Sequence, residues 1–113
     1  MKLYTTITSQ PSQDFYIITD DSKKVDIHLY FLPTQESWFI DITCENFTVK
    51  GIRVSRSPNI LDKYHNILTF GINISTADGY DPWRITDFED GYASFILLNE
   101  EELKSVTELL NGK

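Results

Sequence analysis

Hydrophobic and polar residues alternate most regularly in the middle of the chain, over residues 36–54. Trp38, Ile40 and Ile42 occupy every second position there, and a period of two places them on one face of a β-strand. A Glu-Asn pair then marks a turn, after which the extended pattern resumes and Gly51 permits a bulge or a close approach of another segment. The segment therefore predicts a central strand half buried against a core, followed by a hairpin and a bent return strand.

The same alternation predicts further strands on both sides of this segment. They extend over Lys2–Ile7, Phe15–Thr19, Lys24–Leu32, Ile67–Ile74 and Tyr92–Leu98. The first of them is expected at a sheet edge, and a tight turn of Asp, Ser and Lys residues over 20–23 joins the second to the third. One helical turn is expected over residues 60–66, with Leu61 and Tyr64 facing inward.

A helix is predicted over residues 100–111. Asn99 is a favourable N-cap, and Glu102 three residues later completes a capping-box pair. The apolar positions that follow form one stripe, namely Leu103, Val106, Leu109 and Leu110. Gly112 provides a stop signal, and the stripe is expected to pack on an open face or end of the sheet.

Together these elements predict a mainly β fold, a small β-sandwich or partly open barrel of about seven antiparallel strands with one C-terminal α-helix. With 113 residues, the chain is expected to form a single β-rich domain over residues 1–113. No apolar run approaches the ~18 residues of a transmembrane helix. The first eleven residues lack the apolar core of a signal peptide, which indicates a protein made in the cytoplasm and kept there or built into a larger assembly.

The composition has an excess of acidic residues, with a formal net charge of −7 at pH 7. The basic residues are scattered, and only Lys23 and Lys24 are adjacent. Nucleic acids and anionic membranes are therefore not expected as partners, because both require basic patches. Cys44 is the only cysteine, which excludes an internal disulfide and a thiolate metal cluster and favours a buried structural thiol.

Residues suited to catalysis are few and widely spaced. His28, on the polar face of a predicted strand, and His65, in a predicted loop, lack the spacing of zinc ligands. The sequence contains no Gly-x-Ser-x-Gly elbow, no serine in a recognisable triad context and no phosphate-binding glycine loop. It therefore predicts neither an enzyme nor a bound cofactor or metal.

The predicted loop over residues 75–91 is long for a small domain, and such loops commonly have a function or face a partner. Its acidic side chains would provide oxygen ligands for calcium, although their spacing does not match an EF-hand. These acids are Asp78, Asp81, Asp87, Glu89 and Asp90. A solvated surface, or a contact with a basic partner, is the more ordinary explanation for such a cluster.

The same loop region concentrates aromatic residues, namely Tyr80, Trp83, Phe88 and Tyr92. Trp and Tyr with a few charges are typical of protein interfaces, but the cluster is equally compatible with a small core beneath the loop. The Asp-Pro-Trp sequence at residues 81–83 would stiffen the loop and lower the entropy cost of docking it. The candidate interface residues are Tyr80, Asp81, Trp83, Arg84 and Phe88.

The order of several short motifs resembles a known protein family. The strand sequence VDIHLYFL leads to a W-[FY]-x-D-[IL] strand at residues 38–42, and a Gly-Ile-x-Val return follows at residues 51–54. An Asn-Ile-Leu turn at residues 59–61 and a final strand ending in L-x-x-E-E-L at residues 98–103 complete the order. From about Phe15 to Leu103, the chain resembles the small baseplate plug proteins of contractile-tailed phages, the family typified by the cyanophage baseplate plug.

The resemblance implies a β-rich structural subunit near the hub of a tail baseplate, without catalytic residues. Its expected partners are other baseplate proteins, that is hub, tube or wedge subunits of a symmetric assembly. Its expected location is the virion, in the tail baseplate, after assembly in the host cytoplasm. An alternative interpretation of the residues is a small β-sandwich ligand-binding module that uses the loop over residues 75–91 to bind carbohydrate or calcium.

Overall fold

A computed structural model describes residues 2–19, 22–64 and 67–111. Within these residues the regular elements are seven β-strands and one α-helix. They are β1 (Lys2–Tyr4), β2 (Ser12–Ile18), β3 (Lys24–Leu32), β4 (Ser37–Cys44), β5 (Phe47–Arg53), β6 (Gly71–Thr76), β7 (Ala93–Leu98) and α1 (Glu100–Asn111). The predicted turn residues Asp20 and Asp21, His65, Asn66 and the predicted stop at Gly112 lie outside the described residues.

The strands form two antiparallel sheets. In the four-stranded sheet, β2, β3, β4 and β5 follow one another as neighbours, while β7 lies between β1 and β6 in the three-stranded sheet. The two sheets are not closed into a barrel. This arrangement confirms the mainly β fold with one C-terminal helix, and it confirms the edge position expected for the first strand.

One hydrophobic core lies between the two sheets. Trp38 and Ile40 of the four-stranded sheet, and Ile72 and Phe95 of the three-stranded sheet, are each 0% exposed. Burying a large apolar side chain stabilises the folded state by about 1.5–3 kcal/mol relative to leaving it in water. Cys44 is buried in the same core, as predicted for a structural thiol.

A β-bulge bends the return strand β5, as the glycine in its sequence suggested. The pairing of β4 with β5 includes one extra residue of β5 between Ile40 and Ile42. Gly51 supplies the left-handed backbone of the bulge, with φ +74°, a conformation that costs little only for glycine. Its N–H donates to the Asp41 carboxylate, with 2.8 Å between N and Oδ1, so a side chain of β4 fixes the bulge.

The first two strands differ in length from the prediction. β1 ends at Tyr4 rather than at Ile7, and β2 begins at Ser12 rather than at Phe15. Ile7 is nevertheless buried, with 4% of its surface exposed. Leu3, four residues earlier, is 54% exposed, so the alternation over Lys2–Ile7 does not correspond to one strand with one buried face.

The strand predicted over Ile67–Ile74 is wrong for its first four residues, since β6 begins at Gly71. The N–H groups of Ile67 and Leu68 both donate to the Tyr64 carbonyl, at 2.9 and 3.0 Å, and these bonds close a turn instead of an extended strand. The predicted helical turn before it is a 3-10 turn over Asp62–Tyr64.

Asn59 fixes the approach of this turn to the three-stranded sheet. Its Oδ1 accepts the N–H groups of Leu61 and Ile72, both at 3.0 Å. The side chain is 2% exposed, so both bonds are shielded from water and serve backbone groups that need a partner there. Leu61 is fully buried as a result, which confirms the inward direction predicted for it.

Helix α1 begins as predicted but packs less than predicted. Asn99 and Glu102 form the capping box, in which each side chain accepts the backbone N–H of the other residue, at 3.0 and 2.8 Å. The hydrogen bond from the Asn99 N–H lowers the pKa of the Glu102 carboxyl. Leu103 is buried, but Leu109 and Leu110 are 74% and 42% exposed. The described helix is neither long nor apolar enough to cross a membrane.

Candidate functional site

The aromatic loop, residues 77–92, connects β6 to β7 and contains no strand, helix or 3-10 turn. The predicted loop, residues 75–91, began two residues too early, because Ser75 and Thr76 belong to β6. It also ended one residue too early, because Tyr92 was predicted to belong to the last strand, whereas β7 begins at Ala93. Its ends are joined by a hydrogen bond from the Ala77 N–H to the Tyr92 carbonyl, at 2.9 Å. The segment is therefore closed on itself at the sheet.

Asp87 organises the interior of the aromatic loop. Its carboxylate is fully buried, and Oδ2 accepts the N–H groups of Trp83 and Arg84, both at 2.8 Å. Oδ1 accepts the Arg84 Nε–H at 2.7 Å, and this bond raises the pKa of the guanidinium above its ordinary value. Three charge-assisted hydrogen bonds to one carboxylate hold the backbone turn in a single conformation.

Trp38 and Phe88 anchor the loop to the core. The Trp38 Nε1–H donates to the Arg84 carbonyl at 3.2 Å, and the Phe88 ring packs edge-to-face on Trp38 with 5.7 Å between centroids. Phe88 is 9% exposed and belongs to the core. It was predicted as an interface residue, and that assignment is corrected here because the ring fills the space above Trp38 and offers little surface to a partner.

Asp81 connects the loop to the end of the four-stranded sheet. Its Oδ1 accepts the Arg56 N–H at 2.8 Å, and its Oδ2 lies 3.5 Å from the Arg53 guanidinium. Pro82, the next residue, is buried. Asp81, predicted as an interface residue, therefore has a positioning role within the chain.

Tyr80 and Trp83 project from this fixed framework into solvent, with 71% and 47% of their surfaces exposed. The Arg84 guanidinium lies over the Trp83 ring on one side and the Tyr92 ring on the other, at 5.1 and 4.9 Å from their centroids. Such contacts between cations and ring faces restrict side-chain rotation. Three of the five predicted interface residues, Tyr80, Trp83 and Arg84, are therefore exposed on the loop, and Trp83 and Arg84 contact each other.

Tyr92 and Asp78 are joined by a short hydrogen bond at the base of the loop. The Tyr92 hydroxyl donates to the carboxylate, which raises the pKa of Tyr92 to about 12 and lowers the pKa of Asp78. Asp78 also accepts the Tyr80 N–H at 3.1 Å. These bonds add a second link between the two ends of the aromatic loop.

The acids of the loop are engaged with neighbouring groups of the chain rather than gathered around one point. Beyond the bonds of Asp78, Asp81 and Asp87, Glu89 accepts the Ser9 hydroxyl at 2.8 Å and Asp90 accepts the Tyr92 N–H at 3.0 Å. Across the described residues, no three His, Cys, Asp or Glu side chains are grouped to hold a metal ion. The calcium alternative therefore stays a prediction from the sequence.

A second cluster lies on the outer face of the four-stranded sheet, formed by residues outside the aromatic loop, and the sequence pattern did not reveal it. Ser12 and Asp14 of β2 lie beside His28 of β3, and each approaches one nitrogen of its ring. The signal was present in the predicted hairpin, because a turn centred near residue 21 places residue 14 opposite residue 28. The triad motifs considered in sequence are local patterns and do not detect pairs across strands.

Comparison with known proteins does not identify the chain. No family model matches it, and no curated protein sequence matches it significantly. The resemblance to baseplate plug proteins therefore stays a prediction based on short motifs. Several motif residues have clear structural roles, since Trp38 anchors the aromatic loop, Asp41 fixes the bulge and Asn59 joins a turn to β6.

Proposed function

We propose that the chain is a structural subunit of a phage tail baseplate, a plug or hub-associated protein that acts by docking to other proteins. The observation that carries this proposal is the exposed pair Tyr80 and Trp83 on a loop whose backbone is fixed from within. The motif order described above supplies the kind of assembly. Hub, tube or wedge subunits are the proposed partners.

The aromatic loop has the properties that make docking favourable. Tyr, Trp and Arg are the residue types that contribute most binding energy at protein interfaces, and Tyr80, Trp83 and Arg84 present all three. The buried Asp87 already fixes the backbone beneath them. A partner therefore does not have to order this segment, so less of the contact energy is lost on binding.

The alternative of a carbohydrate-binding module uses the same exposed rings, because aromatic side chains also stack on sugars. No observation on the described residues favours it over a protein contact. The two functions differ in what the rings meet, and a glycan-binding screen of the purified chain is the direct measurement of the alternative.

The first experiment is quantitative mass spectrometry of purified tails from the source system. A fixed copy number of three, six or a multiple of these would support the proposal, since it would fit the rotational symmetry of a baseplate. Absence of the chain from clean particles would contradict it.

The second experiment tests the surface with the double variant Tyr80→Ala, Trp83→Ala. We expect it to keep the wild-type fold but to lose incorporation into particles, because truncating an interface hot spot weakens binding by about 2 kcal/mol, or roughly thirtyfold, per residue. The matched control is Tyr16→Ala, which removes a ring that is 59% exposed on the outer face of the four-stranded sheet. Incorporation of the double variant at the wild-type level would exclude the aromatic loop as the docking surface.

A further inference from the structure

Ser12, His28 and Asp14 form a relay on the outer face of the four-stranded sheet. Asp14 of β2 pairs directly with His28 of β3, and Ser12 precedes Asp14 by two residues on the same strand face. The three side chains therefore come together through the hairpin register alone.

The three groups are connected by one close contact, between Asp14 and His28, and one longer contact, between His28 and Ser12. The Asp14 Oδ1 lies 2.6 Å from His28 Nδ1, and the His28 Nε2 lies 3.4 Å from the Ser12 Oγ. An ionised carboxylate only accepts hydrogen bonds, so Nδ1 carries the proton of the neutral ring and Nε2 presents a lone pair. The Ser12 hydroxyl then donates to Nε2, which is the arrangement of a nucleophile, a general base and an orienting carboxylate.

The imidazole is also held by the ring beside it. The Tyr30 ring stacks on His28 with 5.2 Å between centroids and 28° between planes, and Phe39 stacks on Tyr30 at 5.9 Å. The row of stacked rings limits rotation of the imidazole about its side-chain bonds. This stacking favours the ring orientation in which Nε2 faces Ser12.

A shallow groove of about 520 Å3 adjoins the relay on the same face. Its polar lining includes Asp14, Asp26, His28, Asp41, Thr43 and Lys50. Ser12 is exposed at the edge of the sheet and lies beside this groove rather than in its lining, so a small ester reaches its Oγ directly from solvent.

We propose that Ser12 is an activated nucleophile that accepts acyl groups from small activated esters and thioesters. In the first step Oγ bonds to the acyl carbon, His28 Nε2 takes the hydroxyl proton, and the alcohol or thiol leaves with that proton. In the second step water attacks the acyl-serine in the same way and releases the acid, which restores the hydroxyl. Asp14 is a positioning residue that acts through His28.

This activity goes beyond the docking function and uses a different surface, since none of the three residues belongs to the aromatic loop. A negative result in the acyl-transfer test leaves the baseplate proposal unchanged, and a negative result in the baseplate test leaves the proposed activity of Ser12 unchanged.

The experiment incubates the full chain with p-nitrophenyl acetate, follows release of p-nitrophenol, and locates the acetyl group by peptide mass spectrometry. We expect acetylation at Ser12 and a release rate about 100-fold above that of Ser12→Ala, the lower end of the range for general-base catalysis. His28→Asn is expected to lose the same activity. Asp14→Asn is expected to lose most of it, whereas Asp14→Glu, which keeps the carboxylate, is expected to recover part.

Two matched controls separate this chemistry from the general reactivity of the surface. Ser75→Ala removes an exposed serine whose hydroxyl donates to an amide oxygen at 2.8 Å rather than to an imidazole. Asp90→Asn removes an exposed carboxylate outside the groove, which accepts the Tyr92 N–H rather than contacting a histidine. Both are expected to react like the wild-type chain, and all variants are expected to show the wild-type thermal unfolding curve.

Two results would overturn the proposal. One is a release rate that Ser12→Ala leaves unchanged while His28→Asn abolishes it, which would show that the imidazole itself is the nucleophile. The other is a wild-type chain that releases p-nitrophenol no faster than Ser12→Ala and carries no acetyl group on Ser12.

Discussion

Replacing Asp87 by Asn removes one charge from the centre of the aromatic loop and changes almost nothing in shape. The wild-type carboxylate accepts three hydrogen bonds, two from the backbone of Trp83 and Arg84 and one from the Arg84 side chain. An amide has only one acceptor oxygen. If that oxygen keeps the two backbone bonds, the NH2 group faces the Arg84 Nε–H, and two donors oppose each other in a fully buried place.

The free energy of unfolding is expected to fall by about 2–4 kcal/mol. A hydrogen bond to a charged group contributes about 1.5–3 kcal/mol and a neutral one about 0.5–1.5 kcal/mol. The two backbone bonds therefore weaken without being lost. The bond to Arg84 is lost, but its cost is reduced because the Arg84 side chain is 44% exposed and can return to water. For a domain of this size the midpoint of thermal unfolding should fall by roughly 10–20 °C.

The measurement is urea unfolding followed by circular dichroism and by tryptophan fluorescence, since Trp38 contacts the loop and Trp83 lies in it. Hydrogen exchange of the Trp83 and Arg84 amides then shows whether the loop opens alone or with the whole fold. The matched control is Asp90→Asn, where the exposed carboxylate accepts a single N–H, that of Tyr92. That change is expected to stay within about 0.5 kcal/mol of wild type.

One pair of results would refute this reasoning about Asp87. Asp87→Asn would have to unfold within about 0.5 kcal/mol of wild type, and its Trp83 and Arg84 amides would have to exchange at the wild-type rate. A smaller global effect with much faster exchange at those two amides would still support the role of Asp87, because it would mean that the loop unfolds as a separate unit.

Two further changes test the packing of a turn and a bond at the base of the loop. Gly71→Ala should cost about 1–3 kcal/mol in urea unfolding, because a Cβ there would lie 2.9 Å from the Asn59 Oδ1; a loss below about 0.5 kcal/mol would show that Asn59 moves aside. Tyr92 should ionise near its pKa of about 12 rather than the ordinary 10.0, measured as the difference in alkaline absorbance titration between wild type and Tyr92→Phe. Since folding raises this pKa, the stabilisation is complete below pH 10 and is lost as the pH rises towards 12, whereas ionisation of Tyr92 near pH 10 in the folded chain would contradict the bond to Asp78.

Local periodicity correctly predicted the elements whose conformation is determined by residues close in sequence. β3 spans Lys24–Leu32 and α1 spans Glu100–Asn111, both as predicted. In β3 the pattern of period two matches a strand with one buried face, and in α1 the capping box defines the start. The strand predicted from Ile67 was wrong at its start because apolar residues at the end of a turn show the same pattern as a strand. The N–H groups of Ile67 and Leu68 instead donate to the Tyr64 carbonyl.

The candidate sites depended on contacts between distant parts of the chain. Phe88 is buried because it packs against Trp38, which lies fifty residues earlier in the sequence. No pattern within the loop distinguishes Phe88 from Trp83, which is exposed. The relay at His28 depends on the register of β2 against β3, since a shift by one residue would turn Ser12 and Asp14 to the opposite face. Composition located the aromatic loop as a whole, but only the fold separates its anchors from its exposed surface.

The motifs behind the baseplate resemblance mostly act inside the chain. Asp41 holds the bulge at Gly51, and Asn59 binds the backbone of β6, while Trp38 fastens the aromatic loop. Residues that hold the backbone in place determine the shape of the chain, whichever partner it binds. These motif positions therefore predict the fold of the subunit. Under the proposed docking function, the identity of the partner is encoded where side chains reach solvent, and Tyr80 and Trp83 are two of the large exposed side chains there. Substitutions at those two positions should therefore change what the chain assembles with, and substitutions at the motif positions should change whether it folds.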